Sequence, residues 1–309
     1  MPFFSVVIPT YNQAKHLEEA IKSVINQTLQ DYEIIIVDNY STDETQDIIE
    51  KYKSNKIKMI KFNNKGIIGA SRNQAIKISR GKWIAFLDSD DMWFKNKLKI
   101  IYEEIKNGSD VKVYCSDELI ENFNSKKKKL WYYGPYNNDF YKSLLSNGNC
   151  VPTSSSVVNK EILLQDQIFF DEKKQFVTAE DYDFFLKIAK KGYKFEFLHK
   201  ILGKRLIYNE SMSSKYELHK GSVYSVLSKH VQMNYKNTLL KKIILFRFKF
   251  AIRLIDLNFH LVKKKNYVKS VQLIIFMIIF YPDKSLKLLL KKVQLFIFNY
   301  KNRKFLREH

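Results

Sequence analysis

Blocks of apolar and polar residues alternate along the first 220 residues with two different periods. FFSVVIP (3–9) is an apolar run of strand length. AKHLEEAIKSVINQ (14–27) follows, with Leu17, Ile21, Val24 and Ile25 spaced along one helical face. YEIIIVD (32–38) is nearly continuous in apolar residues, as a parallel strand covered on both sides must be. TDETQDIIEKYK (42–53) is helical, with acids in its first turn. KIKMIKF (56–62) is a strand, IIGASRNQAIKIS (67–79) a helix stopped at Gly81, and KWIAFLD (82–88) a fourth strand. KNKLKIIYEEIKN (95–107) and DVKVYCS (110–116) add a helix and a fifth strand. The alternation predicts an α/β fold: a mainly parallel, Rossmann-like sheet with helices on both faces.

Beyond residue 116 the periodicity loosens. NSKKKKLWYYGPYNNDFY (124–141) reads as a charged, aromatic loop, and EDYDFFLKIAKKGYKFEFL (180–198) restores a helix, a glycine stop and a strand. From about residue 221 the chain is helical, basic and apolar, which divides it into a catalytic-type region (1–220) and a tail (221–309).

Charge sharpens this division. The net charge is +21, but residues 221–309 hold 19 Lys/Arg against 3 Asp/Glu, whereas the first 220 residues are only slightly basic. The tail's basic residues adjoin long aliphatic runs rather than interleaved stacking aromatics, which argues against nucleic acid. Ile243, Phe246, Phe250, Leu254, Leu257 and Leu261 form one helical stripe. LIIFMIIFY (273–281) is too short for the roughly 20 residues of a span. The expectation is a peripheral tail on an anionic membrane surface. The run after Met1 reads as a strand and not a signal peptide, and two cysteines without ligand spacing fit a reducing cytoplasm. The expected location is the cytoplasmic, inner face of the cell membrane.

Chemistry enters at the strand ends, where open α/β sheets bind ligands. The first strand runs into Pro9, Thr10 and Tyr11, the second ends at Asp38, and the fourth ends in LDSDD, with Asp88, Ser89, Asp90 and Asp91. One helix cap needs one carboxylate, and three are in excess. Hard oxygen ligands suit Mg²⁺ or Mn²⁺, and such an ion lets an acidic loop accept a diphosphate. Arg72 stands within reach of a phosphate. A GxGxxG fingerprint is absent, so a dinucleotide oxidoreductase is excluded.

In order along the chain, SVVIPTYNQAKHLEEAIKSVINQT, EIIIVDNYSTDET, NKGIIGASRNQAI, GKWIAFLDSDD and TAEDYDFFLKIAKKGYKF resemble family 2 glycosyltransferases, which have the GT-A fold and use nucleotide-sugars. The likeness covers about residues 3–210. It implies that Pro9, Thr10, Tyr11 and Asp38 hold the nucleoside and that Arg72 lies near the nucleotide. It implies further that Asp88, Ser89 and Asp90 form the D-x-D segment, with Asp88 and Asp90 toward the metal, and that Glu180 and Asp181 are the catalytic acidic pair, Asp181 the base. Thr178-x-x-Asp181 also has the spacing of a capping box. Two positions depart from the pattern. The usual DDGSTD reads DNYSTD, with Asn39 and Tyr40, and Asn209 stands where relatives often carry a metal-binding histidine. The implied reaction is inverting transfer of a hexosyl group from a UDP-sugar to a hydroxyl of a glycan or lipid-linked acceptor, in cell-surface polysaccharide or lipid-linked glycan assembly. The competing reading is a non-catalytic membrane-surface scaffold with a degenerate nucleotide site.

Overall fold

The computed structural model describes residues 1–108, 110–207, 215–234, 236, 238–302 and 305–306. Strands β1 (Phe4–Thr10), β2 (Tyr32–Asp38), β3 (Ile57–Lys61) and β4 (Trp83–Phe86) pair in parallel, in the order β3-β2-β1-β4. Helices α1 (Ala14–Ile25), α2 (Thr45–Lys51) and α3 (Ile68–Ile78) supply the crossovers. Side-chain alternation along the strands builds two cores. Phe4, Val6, Ile8, Ile34 and Ile36 pack with Leu17, Ile21 and Val24 of α1, and Val7, Ile35 and Val37 pack with Ala75 and Ile76 of α3. The central strands are therefore buried on both faces, as their unbroken apolar runs require.

The second half of the sheet differs from the sequence expectation. The strand predicted over 110–116 is the start of β6 (Val111–Asn122), which does not neighbour β4. A short strand, β8 (Ser156–Asn159), lies between them, antiparallel to both. β6 also pairs in parallel with β9 (Lys194–Ile207), whose far end meets β5 (Met92–Trp93). The segment read as a loop over 124–141 contains β7 (Lys128–Trp131), hairpinned onto β6, and the start of α5 (Phe140–Asn147). Helices α4 (Lys97–Lys106), α6 (Lys160–Gln165) and α7 (Glu180–Lys190) complete this part.

Gly81 does not stop a helix. α3 ends at Ile78, and the glycine is required by close approach, since a Cβ there would stand 2.5 Å from the Ser5 nitrogen. Gly192, after α7, does have the left-handed φ of 80° that a helix-ending glycine supplies.

The described part of the tail is mostly helical: α8 (Tyr216–Asn234), α9 (Thr238–Phe248), α10 (Phe250–Asn258), α11 (Tyr267–Phe280) and α12 (Pro282–Lys301). The single stripe expected from Ile243 to Leu261 is split by a turn at Lys249. Phe250 and Leu257 face inward with Met277 and Tyr281, while Ile243, Phe246 and Leu261 are exposed. α12 lies along the sheet-edge segment. Its Lys284 and Lys291 donate to the carbonyls of Ser146 and Gly134, and Asn299 exchanges two hydrogen bonds with the Leu130 backbone.

Candidate active site

The carboxyl ends of β1, β2 and β4 bring the predicted donor residues together. Thr10 and Asp38 are register partners across β1 and β2, both buried, and the backbone between them is closed by Asn39 N–H donating to the Thr10 carbonyl at 3.0 Å. The following loop is pinned from three sides. Ser41 donates from its N–H and its hydroxyl to Asp38 Oδ1, at 3.1 and 2.5 Å, and the Asn12 side chain accepts from Thr42 N at 2.8 Å. Asp43 accepts from Ala14 N at 3.0 Å, so it holds the start of α1. The helix read over 42–53 is shorter: α2 begins only at Thr45, with Glu44 at the cap position. Tyr40 adopts a φ of 57°, the conformation that the glycine of DDGSTD takes without strain, and its ring is exposed, as is that of Tyr11.

The LDSDD segment caps no helix, since α4 starts at Lys97 behind Asn96. Its acids face different partners. Asp88 Oδ1 accepts from Arg72 Nη2 at 2.6 Å, and Asp88 N donates to Ser154 Oγ. Ser89 is buried. Burial, then the neighbouring Asp88 charge, pushes the Asp90 carboxyl up to about 6. Asp91 is more deeply buried and accepts from Leu206 N at 3.2 Å. Burial and the charges of Asp90 and Glu118 raise it well above the usual carboxylate range. Lys97 lies behind this group, fully buried and donating to the Ser154 carbonyl, and burial lowers its ammonium to about 8.

The acidic pair arrives from the other side of the cleft. Arg72, buried on α3, reaches Asp88 with one nitrogen and Glu180 Oε1 with another, at 3.3 Å. One guanidinium thus joins the end of β4 to the first turn of α7. Asp181, half-buried, accepts from the Asn149 side chain at 3.1 Å and from Tyr182 N at 2.7 Å. Loss of solvent raises both carboxyls, and the Arg72 charge opposes that rise. The capping box is absent: Ala179 holds the cap position, and Thr178 sits at a φ of 80° with its hydroxyl 3.2 Å from His219 Nδ1 on α8. His219 Nδ1 is also 3.1 Å from the Thr178 carbonyl, which can only accept, and Ser222 Oγ donates to the Val177 carbonyl at 2.6 Å. α8 therefore clamps the strained turn that presents Glu180 and Asp181. One turn further along α7, the fully buried Asp183 is bound by Lys187 and Lys229 at 2.7 Å and by His230 at 3.0 Å. Burial acts to raise its pKa, but these partners outweigh it and hold the carboxyl well below the usual range.

Three buried polar atoms in the cleft, Thr10 Oγ1, Arg72 Nε and Glu180 Oε2, have no hydrogen-bond partner among the described residues. Unsatisfied buried groups of this kind suit a polar ligand. Among the described residues no three His, Cys, Asp or Glu side chains converge as a complete metal site. Asp88 and Asp90 offer hard oxygen donors of the kind a divalent cation takes. Asn209 lies outside the described residues. Asn149, Ser154, Arg205 and His219 were not anticipated. Arg205 lies on β9, and its charge is felt by Asp90.

The Glycosyl transferase family 2 profile matches residues 5–164, a region that ends before Glu180. An uncharacterised glycosyltransferase of Methanocaldococcus jannaschii is 32% identical over 242 residues, covering 74% of this chain and 79% of the relative. WfaP of Escherichia coli, a UDP-Glc:alpha-D-GlcNAc-diphosphoundecaprenol beta-1,3-glucosyltransferase, is 46% identical over 99 residues, which is 32% of this chain and 39% of that protein. The crystal structure of TarS of S. aureus superposes with a TM-score of 0.58 at 25% identity, covering 81% of this chain and 43% of that one. The expected GT-A fold is thereby confirmed.

Proposed function

This chain belongs to glycosyl transferase family 2 and is a glycosyltransferase, and from that premise we propose that it moves a hexosyl group from a UDP-sugar to a hydroxyl of a lipid-linked or cell-surface glycan, with inversion at the anomeric carbon. The observation that carries this reading is the Arg72 bridge, which holds the strand-end acid Asp88 and the α7 acid Glu180 across one cleft. It sets a donor-binding edge opposite a base.

Asp181 is the general base in this reading. It sits at the start of α7, where the helix end favours its charged form, and Asn149 fixes one oxygen. It takes the proton of the acceptor hydroxyl as that oxygen attacks the anomeric carbon. The bond from this carbon to the terminal phosphate oxygen breaks, and its electron pair leaves with the nucleoside diphosphate. Attack from the face opposite the leaving group inverts the centre, so no enzyme nucleophile is required. Thr10 and Asp38 lie where a nucleoside would bind, and Arg72 Nε is left over to meet negative charge. A divalent cation bound by Asp88 and Asp90, Mg²⁺ or Mn²⁺, would supply electrostatic stabilisation of the departing diphosphate.

The UDP donor and the lipid-linked acceptor are supported by the activity of WfaP, which transfers glucose from UDP-Glc to a diphosphoundecaprenol-linked sugar. The free thiols Cys115 and Cys150 agree with a cytoplasmic site of action. The test is a panel of UDP- and GDP-sugars with Mn²⁺ and the purified chain, scored by nucleoside diphosphate release. Turnover with a UDP-sugar, lost in Asp181→Asn, is the expected result. Release from no donor, or equal release by the variant, overturns the reading.

A further inference from the structure

We propose that the outward faces of α11 and α12 form a docking surface for an anionic lipid bilayer. The two helices are joined through the single residue Tyr281, which is buried. On α11, Tyr267, Val268, Val271, Ile274, Ile275, Ile278 and Ile279 are each 40% exposed or more. At 100° per residue they occupy an arc of about 140°. The opposite side of that helix, Leu273 and Met277, packs against α10.

α12 is amphipathic the other way round from an ordinary surface helix. Its inner side is anchored by Lys284, Lys291 and Asn299, bonded to the backbone of Ser146, Gly134 and Leu130, with the half-buried Leu288 and Phe298 beside them. Its outer side carries Leu286, Leu289, Leu290, Val293, Phe296 and Ile297, from 45% to 70% exposed, within an arc of about 120°. A soluble surface helix presents its charges to water and its leucines to the core. Inverting that order leaves a contiguous apolar face of the size that marks an interaction site.

Charge decides which partner fits. Residues 264–301 contain eight lysines and one acid, Asp283. Lys287, Lys292 and Lys301 are exposed beside the α12 face. A second copy of the chain would set these lysines against one another, because a twofold interface pairs the same patch with itself. Anionic headgroups neutralise them while the acyl boundary takes up the apolar side chains, the arrangement of an interfacial helix. No helix among the described residues is long and apolar enough to cross a membrane, so the contact is with the surface. The inference is independent of the transferase reading, because it is read by binding and not by turnover.

The experiment is co-sedimentation of the full chain with phosphatidylcholine vesicles, with and without phosphatidylglycerol, alongside light scattering of the protein alone. The expected result is a monomer that binds the anionic vesicles and is released by high salt. The exposed pairs Ile275→Ser with Ile279→Ser, and Leu290→Ser with Phe296→Ser, should each weaken binding about tenfold or more without lowering the melting temperature. Lys287→Glu with Lys292→Glu should weaken it on the anionic vesicles alone. A dimer dissociated by the serine pairs, vesicle binding indifferent to every variant, or anchoring that resists alkaline carbonate would each overturn the proposal.

Discussion

Replacing Arg72 by methionine should cost the fold about 3–5 kcal/mol near neutral pH, the scale for removing one partner of a buried ion pair. Methionine keeps much of the volume that packs near Phe170, where the guanidinium carbon lies 5.3 Å from the ring centroid, so a cavity contributes little. The loss is electrostatic and unequal. Asp88 has a side chain 30% exposed and can be rehydrated, whereas the Glu180 side chain is 7% exposed and its second oxygen already lacks a hydrogen bond. The burden falls on Glu180. Its pKa is already raised, so the folded form binds a proton more readily than the unfolded chain, and this group's contribution to stability falls as pH rises. Without Arg72 that pKa rises further, so the variant should recover stability as the pH is lowered from 7 toward 5. Urea unfolding at both pH values measures this. Glu180→Gln added to Arg72→Met should restore part of the loss, with a coupling of about 2 kcal/mol. If the single variant lies within about 1 kcal/mol of the parent, and the two substitutions simply add, Arg72 does not bridge the cleft.

Three further outcomes follow from the same geometry. Asp90→Asn should raise the melting temperature near pH 7 in the absence of divalent ions, because a carboxyl titrating near 6 in the folded state destabilises it once ionised; the same variant should lose Mn²⁺-dependent UDP binding by calorimetry. Asp181→Asn should lower turnover by roughly 10²–10⁴-fold with donor affinity little changed, and the acid limb of the parent's turnover profile should stand above the usual carboxylate range, as the raised Asp181 pKa requires. His219→Ala should reduce kcat by about tenfold while leaving UDP affinity intact, since it frees the Thr178 turn without touching the donor edge; His219→Asn, which keeps a donor, should restore part of the rate.

The parallel half of the sheet was legible because β1, β2 and β4 are short apolar runs, β3 alternates as an edge strand, and helices lie between them. The gathering of Asp38, Asp88 and Asp90 at one sheet edge was legible because parallel strands carry their carboxyl ends to the same side. β8 was not, as four residues, SVVN, carry no period and its partners lie more than 40 positions away in β6 and 70 in β4. Asn149 and His219 escaped for the same reason, since each matters through a neighbour distant in the chain. Thr178 misled for a different one: its spacing to Asp181 suits a cap, but a left-handed backbone swings the hydroxyl to α8. In the tail, the sequence showed basic residues beside aliphatic runs and did not show which side of α12 meets the protein. Three polar contacts on the lysine side decided that.

The ion cluster on Asp183 bears on how such enzymes exchange parts. Lys229 and His230, two of its three partners, belong to α8, although Asp183 itself belongs to the helix that begins with Glu180 and Asp181. A chimera that took its tail from another glycosyltransferase before Tyr216 would bring foreign side chains to a fully buried carboxylate two residues from Asp181, the proposed base. Crossing over after Asn234 keeps the original pair. Grafted tails should therefore yield active hybrids at the later junction and insoluble or inert ones at the earlier, so the inheritable unit of catalysis reaches to the end of α8.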